Sequence, residues 1–314
     1  MLDWAATAAR FLVFSATFVL FGSSAFFSYG LAPQDSSAPS RSRNWPRLLV
    51  LVAAASALLA SVLWLMSEAA TLSGDAAEAM NASAVWSVVA DTHFGQVGAF
   101  RCVLLLLILL AVATLKFHGQ RMWAVHSLLS AVVVGSLAWT GHGNIDSGVP
   151  GWVHLGSDLL HLLMAGLWIG ALLPLCVLVL RMLRRSAATS EYELAFGLSR
   201  FSSVGVPLVA VLLLSGVVNS WFLIGPAAWP SVLTTLYGRL LLAKVGLFVL
   251  MLALAAINRL RLTPRLQHAA SAAQSDIAVW HALRATLMTE TTLAMFVLGL
   301  VAMIGTLEPP IATI

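Results

Sequence analysis

Charge is what this sequence has least of. Of its 314 residues, 17 are Lys or Arg and 13 are Asp or Glu, against roughly a quarter charged in an average soluble chain. Because 60% of the residues are hydrophobic, that poverty excludes a soluble fold: a water-soluble domain of this length has nowhere to hide so much apolar surface. Cysteine is nearly absent. Cys102 and Cys176 lie singly inside apolar runs, so a disulfide framework is excluded. No stretch alternates with period two, which removes the membrane β-barrel. There is no Gly-x-x-x-x-Gly-Lys-Ser/Thr, and so no phosphate cradle for nucleotide hydrolysis. Heptads, internal repeats and low-complexity tails are also missing, and a single bundle over 1–314 is the simplest domain description. The net charge of +4 and the pI near 9.6 are read as membrane topology, and no nucleic acid partner is expected.

What is present is a succession of long apolar runs, with a mean hydropathy of +0.92. A bilayer takes about 20 such residues per helix, and in lipid a continuous helix satisfies its own backbone. The runs predict an all-α integral membrane protein, a bundle of about eight transmembrane helices. The expected spans are 4–31, 46–68, 98–116, 122–141, 153–181, 201–224, 238–257 and 285–307. The first run opens on Asp3 without a clear cleavage site, so it reads as a retained helix rather than a signal peptide.

Orientation follows from the connections. Arg41, Arg43 and Arg47, then Lys116 and Arg121, then Arg181, Arg184, Arg185 and Arg200, then Arg259, Arg261, Arg265 and Arg284 fall on alternate loops. The other loops carry Glu68, Asp75, Glu78, Asp91, His93, His142 and Asp146. The positive-inside rule puts the basic loops in the cytoplasm and both termini outside. The segment 68–97 is then an outer loop, acidic and partly a short helix lying on the membrane.

The strongest constellation is His154, Asp158 and His161. At about 100° per residue, these i, i+4, i+7 positions share one narrow helix face, and Trp168 continues it inward. Across the preceding turn, Thr140-Gly141-His142-Gly143 brings His142 toward that face. Imidazole with carboxylate at helical spacing suits a first-row metal ion, and bundles build such sites from facing helices. The competing reading is a wet helix end whose polar groups cap it. His93, in Asp91-Thr92-His93-Phe94, reaches the same surface or stays a solvated loop residue. Met164 lies one turn beyond His161 and offers a thioether suited to Cu(I), although Met also fills cores.

Ionisable groups inside spans form a second class: Arg10, Arg101 and Lys244 in the outer half, Glu290 and His126 in the inner half. At that depth each is a functional hypothesis by default. Glu290 is suited to receive a cation or proton, with His126 as its expected titratable neighbour. Arg10, Arg101, Lys244 and Asn219 also serve as structural or gating staples between helices.

Several stretches resemble the CopD/PcoD family of bacterial copper-resistance membrane proteins. They are Ala138-Trp139-Thr140-Gly141-His142, Ser157-Asp158-Leu159-Leu160-His161 running to Gly166-Leu167-Trp168-Ile169-Gly170, and Ser215-Gly216-Val217-Val218-Asn219. Thr235 to Lys244, Asn258-Arg259 and Glu290 in the last apolar run follow in the same order. The resemblance implies an eight-span protein of the bacterial inner membrane that moves copper ions, Cu(I) or Cu(II), toward the cytoplasm with a separate periplasmic carrier of the CopC type. No CopC-like domain is fused here, and no Met-rich outer segment is visible. His154 comes from helical spacing and not from the family's pattern. On this reading copper binds His142, Asp158 and His161, with His154 or His93, and passes Met164 and Trp168 toward Glu290 and His126. Two rivals remain: a b-haem oxidoreductase with haem held by His142 and His161, and a copper-binding scaffold or sensor that does not transport.

Overall fold

The computed structural model describes residues 4–31, 44–114, 120–141, 148–185, 188–226, 229–271 and 277–313. Within them there is no strand. Eight helices are long and apolar enough to cross a membrane: α1 (Trp4–Tyr29), α2 (Asn44–Ser73), α4 (His93–Thr114), α5 (Gln120–Gly135, continued by a 3₁₀ turn Ala138–Thr140), α6 (Gly148–Arg185), α7 (Ala188–Ile224), α8 (Leu236–Ile257) and α10 (Ile277–Ile304). Two short helices, α3 (Ala82–Asp91) and α9 (Thr263–Ser271), complete the set. The Arg10 guanidinium lies against Gly305, so the start of α1 and the end of α10 share one face of the bundle. At the opposite face Arg47 donates to the Val112 and Ala113 carbonyls at the end of α4, and Arg181 lies over Trp45.

The segment 68–97 is more regular than a loop. The helix α2 runs on to Ser73, then a 3₁₀ turn Ala76–Met80 and α3 follow, each started by a polar cap. Asp75 accepts from the Ala77 N–H and Asn81 from the Ser83 N–H, the usual way to satisfy orphan donors at a helix start. Thr92 repeats the device for α4, accepting from Gly95 N at 2.9 Å. These caps turn the chain between two helices without strand or coil.

The centre of the bundle is α1, packed against α2, α5, α6 and α10 through buried Phe14, Phe18, Phe21, Phe26 and Phe27. Its approach to α6 is close because Gly22 meets Gly166 and Gly170: a Cβ on Gly170 would stand 1.9 Å from the Phe18 carbonyl oxygen. Small residues let backbones touch in this way in membrane bundles. Proline adds a second link. Pro174 sits inside α6 and has no N–H to give the carbonyl four residues earlier. That carbonyl is Gly170's, and Ser23 Oγ of α1 donates to it at 3.1 Å. The helix pair α6–α7 carries the polar side chains described next.

Candidate functional site

Two polar stripes face each other across α6 and α7. On α6 the positions are His154, Ser157, Asp158 and His161; on α7 they are Leu212, Ser215, Asn219 and Phe222. They close like a zipper because antiparallel helices with i, i+3/i+4, i+7 spacing keep such rows in register. Asp158 Oδ1 accepts from Asn219 Nδ2 at 3.3 Å. Ser157 Oγ donates to the Ser215 carbonyl at 3.0 Å. His161 Nδ1 lies 3.2 Å from the Leu212 carbonyl and 3.1 Å from Ser215 Oγ. A carbonyl only accepts, and Ser215 Oγ already donates to the Val211 carbonyl at 2.8 Å. Nδ1 therefore carries the proton, which leaves a bare lone pair on Nε2, the state a metal ligand requires. Gly216 makes the room: a Cβ there would stand 3.3 Å from His161 Cε1.

The other expected residues take different places. His154 is buried, at 2% exposure, and stacks on Phe222 with ring centroids 4.8 Å apart and 5° between planes. It nonetheless lies within electrostatic reach of Asp158, as do Lys244 and Arg10. His93 is exposed at the first turn of α4, on the rim of an apolar hollow of about 580 Å³ lined by Phe100, Trp139, Leu159 and Leu163. His142 lies outside the described residues. Among the described residues no three His, Cys, Asp or Glu side chains stand close enough together to hold a metal ion.

Arg101 and Arg10 flank Trp64, each guanidinium 5.3 Å from the indole, a cation–π arrangement. Arg101 Nε donates to Ser136 Oγ at 2.8 Å, and its Nη2 reaches the Ser136 carbonyl and Thr140 Oγ1. It thus ties α4 to the end of α5. Arg10 Nε is buried with no hydrogen bond among the described residues, and the group lies within electrostatic reach of Glu68 and Asp158.

A second polar cluster lies deeper. Trp168 is ten residues beyond Asp158 on α6, about 15 Å along the axis. Its Nε1 donates to Glu290 Oε1 at 2.8 Å, and Asn258 Nδ2 donates to Oε2 at 3.3 Å. Asn258 opens a π-helical turn, Asn258–Leu262, of the kind that often marks functional positions. Thr263 Oγ1 closes the turn on the Asn258 carbonyl at 2.8 Å, and Thr286 Oγ1 donates to Asn258 Oδ1 at 2.5 Å. The cluster walls a cavity of about 220 Å³ between α6, α7, α8 and α10. His126 is buried on α5 beside Trp123, and the hydrogen bonds to Glu290 come from α6 and the π turn instead. Met164 is half-buried against the core.

Asn258, Thr286, Phe222 and the role of Ser215 were not singled out by reading residue types. For α7 a signal was available: Ser215 and Asn219 are polar, one turn apart, in an apolar helix. Asn258 stands out only through the family-like stretch Asn258-Arg259, since a π turn breaks the 100° arithmetic by which helical spacing could have linked it to Glu290.

Comparison with known proteins gives a consistent result. The family described as "Copper resistance protein D-like, N-terminal domain" matches residues 1–152, and the family described as "Copper resistance protein D" matches residues 197–304. The α6 half of the zipper falls between the two. A protein named "Copper resistance protein D" from Pseudomonas syringae pv. tomato is 33% identical over 312 residues, 98% of each chain. "Inner membrane protein YebZ" from Escherichia coli (strain K12) is 30% identical over 225 residues, 72% of each. "Copper transport protein CutJ" from Bacillus subtilis (strain 168) is 30% identical over 172 residues, covering 54% of this chain and 30% of that one. No solved structure matches.

Proposed function

The chain belongs to the copper resistance protein D family, and from that premise we propose that it takes copper at the Asp158–His161 pair and carries it across the bacterial inner membrane toward the basic face. The observation that carries the reading is the His161 geometry: Nδ1–H spent on the Leu212 carbonyl, Nε2 free for an ion, and the Asp158 carboxylate on the same face one turn away. His142, the residue after Gly141, completes the ligand set we propose. The close approach favours this, since a Cβ on Gly141 would lie 3.9 Å from Asp158 Oδ2. His154, stacked on Phe222, supports the site from behind, and exposed His93 serves as an outer landing residue.

From the pair, copper passes Met164 toward the level of Trp168. With the basic face in the cytoplasm, this is inward movement, and the outer face of the bundle is where a separate periplasmic carrier of the CopC type would deliver. The haem alternative draws no support from the relatives' names.

Metal analysis and absorption spectra on detergent-purified protein test the assignment. Bound copper is expected in the native chain, with no Soret band, and it should fall by about a hundredfold in affinity or vanish in His161→Ala and Asp158→Asn. Copper retained by both variants, or a haem band lost from them, would overturn it.

A further inference from the structure

The Glu290 carboxylate is 1% exposed, and both oxygens accept from uncharged donors, Trp168 Nε1 and Asn258 Nδ2. Thr286 Oγ1, which also lies 3.1 and 3.0 Å from the Ala282 and Leu283 carbonyls, meets Asn258 Oδ1; with Oδ1 held there the amide N–H faces Glu290, so the hydrogen bonds from Trp168 and Asn258 both run toward the carboxyl group. That is an arrangement for an anion. An anion at this depth without a cationic partner is costly. Arg259 reaches the cavity wall, yet its guanidinium donates to the Ser202 carbonyl on α7. The charge must be met by something the cavity admits.

The cavity itself narrows the choice. Its volume of about 220 Å³ holds several waters, and it reaches down to Arg259 and Thr263, toward the basic face. A copper ion entering it would need lone pairs, but Trp168 and Asn258 present N–H groups to the carboxylate, and the rest of the wall is mainly aliphatic and aromatic. A proton needs a single lone pair and a water to bring it.

We propose that Glu290 is a proton-exchange site served from the basic face through this cavity. A hydronium in the cavity gives its proton to Oε2, where the longer of the two hydrogen bonds yields; an O–H bond forms on the carboxyl, one breaks on the hydronium, and water remains. Release runs in reverse. The groups facing Glu290 from its packing partners are Cys176 on α6, whose Sγ is 3.4 Å from Thr291 Oγ1, and Arg259 on the π turn. Lys244 of α8 lies at the level of Asp158 and His161, and Arg10 of α1 lies against Gly305 at the far end. The inference does not rest on copper: proton exchange and metal binding are read separately.

The experiment is labelling of the full chain in lipid nanodiscs with dicyclohexylcarbodiimide, which attacks protonated carboxyls in apolar surroundings, followed by peptide mass spectrometry and copper analysis of the same samples. Glu290 should be labelled, more in acid than in alkaline buffer, with no adduct at that position in Glu290→Gln. Trp168→Phe removes one donor to the anion and should raise labelling at neutral pH about tenfold, which keeps the test decisive if Glu290→Gln fails to fold. Copper content should be unchanged in Glu290→Gln. An unlabelled Glu290 in acid, or labelling indifferent to pH, would each overturn the proposal.

Discussion

At the scale of the residue, the copper site proposed at Asp158 and His161 depends on side chains that would not touch the ion. Gly216 and Asn219 show this best. The His161 ring fits against α7 because position 216 has no side chain: a Cβ would already stand 3.3 Å from Cε1, tighter than ordinary contact, and branched methyls would push the imidazole off the Leu212 carbonyl. Gly216→Val is therefore expected to weaken copper binding by about 10- to 100-fold, the cost typical of losing a group that orients a ligand. Asn219→Leu should do the same through Asp158, by removing the N–H at 3.3 Å. Isothermal competition with a chelator measures both. Unchanged affinity together with an unchanged melting temperature would mean the zipper serves packing alone. Residue-by-residue reading found Asp158 and His161 because charge and imidazole are rare in an apolar run. It missed Phe222 and Ser215 because an aromatic and a hydroxyl in a membrane helix look ordinary until their partners are placed opposite.

At the scale of the element, α6 carries both polar clusters, and its integrity rests on a neighbour. Pro174 removes the hydrogen bond that the Gly170 carbonyl would otherwise accept within the helix; Ser23 of α1 supplies the replacement at 3.1 Å. Ser23→Ala should orphan that carbonyl and cost about 1–2 kcal/mol. In a Pro174→Ala background the helix regains its own N–H donor, and the same Ser23→Ala should cost close to nothing. Thermal unfolding of the four proteins in one detergent completes the cycle, and equal costs in both backgrounds would refute the coupling. Element boundaries were legible where lipid sets them: all eight expected spans correspond to observed helices, since a run of apolar residues has to match a bilayer. They were less legible where lipid does not decide. The helix α7 begins at Ala188 rather than at 201, through Glu193 and Arg200, residues with no hydropathy signal. The segment 68–97 owes its helices to the caps Asp75, Asn81 and Thr92. The π turn at Asn258 is invisible to any fixed period, and with it the polar surroundings of Glu290.

At the scale of the whole molecule, the proposed copper transport needs a driving force, since the sequence carries no nucleotide cradle. The membrane potential acts on each elementary charge with about 2.3 kcal/mol per 100 mV, equal to roughly a 50-fold concentration ratio at equilibrium. If Cu(I) crosses alone, vesicles holding the native chain, with the basic face inside and an inside-negative potassium diffusion potential, should accumulate copper in proportion to the potential and approach roughly that ratio per 100 mV. If each Cu(I) that enters is exchanged for a proton that Glu290 takes from the basic face and that leaves on the opposite face, no net charge crosses the membrane. Uptake should then ignore the potential, follow an imposed pH difference, and acidify the medium. The two proposed sites, at Asp158 and at Trp168 on α6, lie about 15 Å apart along the helix, with no hydrogen bond between them among the described residues, so each can be disabled in turn. We expect His161→Ala to abolish copper uptake in either regime, and Glu290→Gln to leave copper binding intact while making any remaining uptake fully sensitive to the potential. Potential-independent uptake that persists in Glu290→Gln would place charge compensation elsewhere in the bundle and reduce Glu290 to a fixed hydrogen-bond acceptor.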